Sequence, residues 1–164
     1  MNRATLDALE SFPRQLQDFF AAIPVGYENW KPDSWEGIPS EPFSAIEQIC
    51  HVRDIETDGY HARFRRALCE TDPVLDNVDG ETLAVERDYA SAEATGVFTA
   101  FRAARAKTLE TISSLTEAQF ERTAVFDGAP IGVRGLVHML CSHDQQHLAG
   151  LQWLMARIDA SRPR

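Results

Sequence analysis

The chain has 164 residues, 44% apolar and 9% aromatic, which is enough for a hydrophobic core and excludes a disordered or fibrous composition. Its 25 acidic residues outnumber 16 basic ones, and the formal charge of −9 argues against DNA or another polyanion as a partner. No run of about twenty apolar residues occurs, and the N-terminal MNRATLDALESF has no apolar signal segment, so a soluble, cytoplasmic protein with no membrane contact is expected.

No linker-like stretch divides the chain, which predicts a single domain over 1–164, with a disordered tail from about Ser161. The first helix is predicted from about Thr5 to Ala22, with Leu6, Leu9, Leu16, Phe19 and Phe20 on its apolar face. Pro13 lacks a backbone donor, which predicts a kink there or a fresh start at Ser11. Pro24 ends that helix, and the stretch to Pro42 reads as a long loop whose Trp30 and Trp35 cover one end of the core.

Ser44 with Glu47 three residues later forms a capping box, so a second helix is predicted from there to about Leu68. His51 lies two turns in. At about 100° per residue it shares a face with Gln48, Ile55, Asp58 and Ala62, and periodicity leaves its direction open. From Cys69 to about Ser91 the chain is acidic, with Pro73 and Gly80, and reads as a long crossover carrying a turn of helix.

The third helix is predicted from about Ala92 to Leu115, with Val97, Phe101, Ala104, Thr108, Ile112 and Leu115 along its stripe. Arg105 lies beside that stripe. Two readings are open: its stem covers the core while its head stays in water, or its planar fork turns inward to meet an anion. The segment Thr116 to Gly132, with Asp127, Gly128 and Pro130, reads as a turn or short hairpin.

The fourth helix covers Val133 to Arg157 and beyond, with Leu136, Leu140, Leu151, Leu154 and Ile158 in register. The two gaps in that stripe are filled by His143 and His147. Residues four apart stack on one helix face, so these imidazoles can aim at a common point, as a metal pair or as two histidines satisfied separately. Four amphipathic segments with no convincing strand pattern predict an all-α four-helix bundle with a long crossover between helices 2 and 3.

The remaining chemistry-bearing residues narrow the choice. Cys50, Cys69 and Cys141 are odd in number and widely spaced, which suits reduced thiols. No Glu stands three residues before any of the five histidines, which argues against a di-iron carboxylate site. His138 lies about 140° round the helix from His143, so it and His61 are expected to be ordinary histidines. Asp54, Asp58 and Asp144 neighbour the candidate ligands and either orient an imidazole N–H or are simply solvated.

In this order the residues resemble the DinB-like (YfiT-like) family of small four-helix-bundle metalloproteins over nearly the whole chain. The likeness is carried by the Trp-containing loop, FSAIEQICHVRDIE, DYASAEATGVFTAFRAAR and GVRGLVHMLCSHDQQHLAGL. It implies that a histidine early in helix 2 joins the His-x-x-x-His pair of helix 4 around one divalent metal, which makes His51, His143 and His147 the expected ligands. Members of that family include transferases and isomerases that use bacillithiol, mycothiol or glutathione, alongside proteins with no assigned activity.

Three neutral imidazoles leave an open coordination position, as catalytic sites do, with zinc the first expectation and nickel, manganese or iron able to take the same ligands. The expected activity is activation of a low-molecular-weight thiol for S-transfer, or of water for hydrolysis. Arg105, if it turns inward, would steady an anionic group of the thiol or its acceptor. The alternative is a noncatalytic, stress-related bundle that binds metal or ligand, and either form could be a homodimer.

Overall fold

The computed structural model describes residues 1–162; of the expected tail, Ser161 closes the last helix and 163–164 lie outside the described residues. Helix α1 spans Arg3–Ala21 and is capped by Asn2, whose Oδ1 accepts the Ala4 N–H at 2.8 Å. Pro13 neither breaks nor restarts it, and the helix runs through with the proline buried. What the proline removes is one donor, the N–H that would have bonded the carbonyl of Leu9. In the loop that follows, Trp30 packs against the core and Trp35 stacks on Trp153, ring centroids 6.0 Å apart.

Helix α2 spans Ala45–Asp54 behind Ser44, whose N–H is bonded by the Glu47 carboxylate at 2.8 Å. The rod continues through a wide π-type turn at Ile55–Tyr60 into α3, His61–Cys69. That turn corrects the face predicted for His51: the wider repeat breaks the 100° count, and Asp58 ends up exposed and paired with Arg87. Helix α5 covers Ala94–Ser114 behind Glu93, whose carboxylate accepts the N–H groups of Thr95 and Gly96. Helix α7 covers Val133–Ser161. Both α1 and α2 pack on α5 and α7, which closes the four-helix bundle.

The connectors hold more structure than expected. The crossover contains strand β1 (Val74–Leu75) and helix α4 (Gly80–Glu86), and the second connector contains α6 (Glu117–Phe120), β2 (Thr123–Phe126) and β3 (Ala129–Gly132). Strands β2 and β3 form the short hairpin, turning at Asp127 and Gly128 with φ of 51° and 73°. Strand β1 adds to β2 in parallel, giving a three-stranded sheet beside the bundle. Strands of two to four residues are too short to show an alternating pattern, and so none was legible.

The core is split in two. One apolar cluster joins the second half of α1, most of α2 and Leu148 to Ile158 of α7, and the other joins α3, the sheet and Val133 to Leu140. Between them lies a buried polar layer containing Glu56, Arg105, Asp144 and His147. Among the described residues no helix is long and apolar enough to cross a membrane.

Candidate metal centre

The site sits where the apolar stripe of α7 breaks between Leu140 and Leu148. His147 is fully buried, and its Nδ1 meets the amide oxygen of Gln48 from α2. An amide oxygen only accepts, so His147 carries its proton on Nδ1 and presents a bare lone pair at Nε2. Gln48 is itself held by its NH2 group, which donates to Ser40 Oγ at 2.8 Å and to the Glu41 carbonyl at 3.2 Å.

The Nε2 atoms of the three histidines converge. That of His143 lies 3.1 Å from His147 Nε2 and 3.3 Å from His51 Nε2. Glu41 closes the group from the loop before α2, with Oε1 3.6 Å from His51 Nε2 and Oε2 3.3 Å from His147 Nε2. One donor atom from each of the four residues lies within 4.8 Å of the others. Nitrogen ligands about 2.1 Å from a shared ion stand roughly 3.0–3.4 Å apart, which is the spacing seen here.

The protonation states also favour a cation. Burial pushes the pKa of His51 and His147 below the ordinary histidine value and that of His143 down to about 3, so all three rings are neutral near pH 7. The Nδ1 atoms of His51 and His143 are buried with no hydrogen-bond partner. With the lone pair of His147 and the Glu41 carboxylate aimed at the same point as the other two Nε2 atoms, a cation between them would satisfy all four donors at once.

Two glycines make the close approaches. A Cβ on Gly80, the first residue of α4, would stand 2.5 Å from Cε1 and Nδ1 of His51, so the crossover lies directly on that ring. A Cβ on Gly150 would collide with Ser40 Oγ, so α7 admits the loop carrying Glu41 only because this position lacks one. A cavity of about 320 Å³ opens beside His51, His143 and Glu41, walled by Ile55, Tyr60, Val78, Phe126 and Met139.

The structure brings His51, His143 and His147 together and corrects the role offered to Arg105. That residue is buried, yet no substrate anion can reach its fork, because all five N–H donors are taken. Nε and Nη2 bond Glu56 at 3.0 and 2.8 Å, Nη1 and Nη2 bond Asp144 at 2.8 and 3.0 Å, and Nη1 bonds the Leu9 carbonyl at 2.9 Å.

The three aspartates do not orient imidazoles. Asp144 belongs to Arg105, while Asp54 is buried and bonds Arg53, Arg87 and the Tyr89 hydroxyl; neither is solvated. His61 contacts the Ala104 carbonyl and Thr108 Oγ1, and His138 is exposed. Sequence reasoning missed Glu41, which lies in an irregular loop where no periodicity points anywhere; its place just ahead of the Ser44 cap was the one available signal.

The chain aligns over 97% of its length, and 90% of the other chain, with YfiT from Bacillus subtilis, at 17% identity and a TM-score of 0.83. That protein is described as a probable metal-dependent hydrolase with an unusual four-helix bundle topology, and the likeness establishes the shared fold. No curated protein matches the chain in sequence. The DinB superfamily matches residues 8–151, which take in most of each bundle helix, Glu41 and all three converging histidines, so the chain belongs to the DinB superfamily.

Proposed function

We propose that this protein is a metal-dependent hydrolase in which Glu41, His51, His143 and His147 hold one divalent cation, zinc in the first instance. The convergence of three Nε2 atoms and a carboxylate at the end of an open cavity carries the reading. A cation in such a site lowers the pKa of a water or a thiol that enters its open position.

The chain's own residues supply the rest. Gln48 holds His147 in the tautomer that presents Nε2. The Glu41 side chain is 41% exposed, so it can complete the donor set with one oxygen and accept the nucleophile's proton with the other. Ile55, Val78, Phe126 and Met139 give the cavity an apolar side among its polar residues, and electrostatic interactions close to that side are screened less than in open water.

Water is the first nucleophile because the structurally similar YfiT is described as a probable hydrolase. The second nucleophile is a low-molecular-weight thiol, as the family resemblance implies. The test incubates zinc-loaded protein and its His147→Ala variant with a panel of esters and amides, then with bacillithiol, mycothiol or glutathione plus an electrophilic acceptor. Turnover that needs both zinc and His147 supports the proposal, and the arm in which it occurs identifies the nucleophile. Equal rates for both proteins in every arm would overturn it in favour of a noncatalytic metal-binding bundle.

A further inference from the structure

Arg63 of α3 lines the same cavity as His51 and His143 and is only 5% exposed. Its guanidinium carbon lies 4.4 Å from the Phe126 ring centre and 5.0 Å from that of Tyr60, so two aromatic rings pack against the fork. The other buried arginine, Arg105, is ringed by two carboxylates, and Arg53 and Arg87 share Asp54. Arg63 has no such acid among the described residues.

Its hydrogen-bond partners are neutral oxygens, the Asp76 carbonyl and the Asn77 side-chain oxygen, both at 3.3 Å, and the neighbouring Tyr60 phenol is kept neutral by burial, which pushes its pKa up to about 12. A buried cation with no counter-charge is costly to the fold, and a fixed, planar, partly unused fork is the group that matches an oxyanion. The acids on the cavity wall do not supply that anion, since Glu41 faces the imidazoles and Asp127 is exposed.

We propose that Arg63 anchors an anionic oxygen group, carboxylate or phosphate, on the substrate of the metal site, so that the enzyme acts on small acids in preference to neutral compounds. This rests on the metal-dependent reading above and names its substrate class. The Tyr60 ring stands between the two ends of the site, 5.0 Å from the Arg63 guanidinium and 6.4 Å from the His143 ring. The anionic group and the reacting bond are therefore separated by several bonds, and a molecule bearing both spans one aromatic ring.

The test uses two-headed probes: dicarboxylates from malonate to suberate and the matching phosphonocarboxylates, titrated calorimetrically into zinc-loaded protein, with acetate as the one-headed control. Zinc content is measured on the same samples. One chain length should bind more tightly than acetate by about tenfold or more, and the better of the two series identifies the anion. Arg63→Met should remove that gain while leaving zinc content and acetate affinity unchanged, and Arg63→Lys should keep part of it. The Lys variant also serves if the Met variant fails to fold. A second anionic group that adds nothing at any length, or an Arg63→Met protein that binds the best probe as tightly as the unaltered chain, would overturn the anchor. Unaltered protein that takes up no zinc would overturn the metal reading, and the anchor with it.

Discussion

Arg105 donates through Nη1 to the carbonyl of Leu9 at 2.9 Å, the acceptor that Pro13, four residues on, has no N–H to satisfy. A defect in the first helix is thus repaired by a side chain from another helix. The same guanidinium holds Glu56 and Asp144, so three acceptors in the polar layer depend on it. Arg105→Met should lower the free energy of unfolding by about 3–5 kcal/mol, because it leaves buried charge uncompensated. Arg105→Lys should recover only part, since an ammonium cannot serve five sites in one plane. Urea unfolding of the three proteins checks this, and a loss below about 1 kcal/mol for Arg105→Met would contradict it.

Purified without a histidine tag, the protein should contain about one divalent ion per chain by elemental analysis. His51→Ala or His147→Ala should abolish that content, Glu41→Gln should reduce affinity, and His138→Ala should leave it alone. Because the ion joins the loop before α2 to α7, chelation should lower the melting temperature in proportion to ln(1 + [metal]/Kd). An unchanged melting curve after verified metal removal would count against a bridging site.

Gly80→Ala tests the contact between the crossover and the site. The added Cβ falls 2.5 Å from the His51 ring, and neither the backbone nor the enclosed ring can yield without moving a ligand. Zinc affinity should fall by about tenfold or more, with about 1–3 kcal/mol lost from overpacking. Competition against a chromogenic chelator reads the affinity. Wild-type binding in the variant would mean that the crossover can lift away from His51 at little cost.

Acid should destabilise the metal-free protein over a defined range. The folded state holds His51, His143 and His147 below the ordinary histidine value, with His143 at about 3, whereas in the unfolded chain they take up protons near pH 6.5. Below that value the unfolded state binds more protons, so stability is fully present above about pH 6.5 and is lost progressively as pH falls toward 3. Urea midpoints measured across this range, with the His143→Ala variant showing a shallower slope, check the sign and the source.

The bundle and the histidine pair could be read from the chain because both rest on the 3.6-residue period, which places His143 and His147 in the leucine stripe of α7. The environment of Arg105 could not. Its partner Glu56 falls inside the wide turn at Ile55–Tyr60, where the angular count built on His51 no longer holds. Its other partner, Asp144, stands next to a candidate ligand, and its spacing suggests an imidazole partner or a solvated carboxylate but not an arginine on another helix. Glu41 was invisible for a different reason: a loop residue reaches a site through tertiary contacts alone, here through the gap at Gly150. Arg63 gives no signal in the chain because an arginine on a helix is ordinarily a surface residue, and only its tertiary burial against the rings of Tyr60 and Phe126 shows otherwise.

His51 and His143 are 92 positions apart in the chain, so their contact closes only when the second helical rod docks against the last helix. A cation that requires both ends in place acts after most of the bundle has assembled. It should therefore slow the unfolding step and leave the folding step nearly unchanged, a division that stopped-flow measurements with and without zinc can resolve. In a cell short of metal, the native state would then form as fast as before and last a shorter time, and proteases would meet the open chain more often.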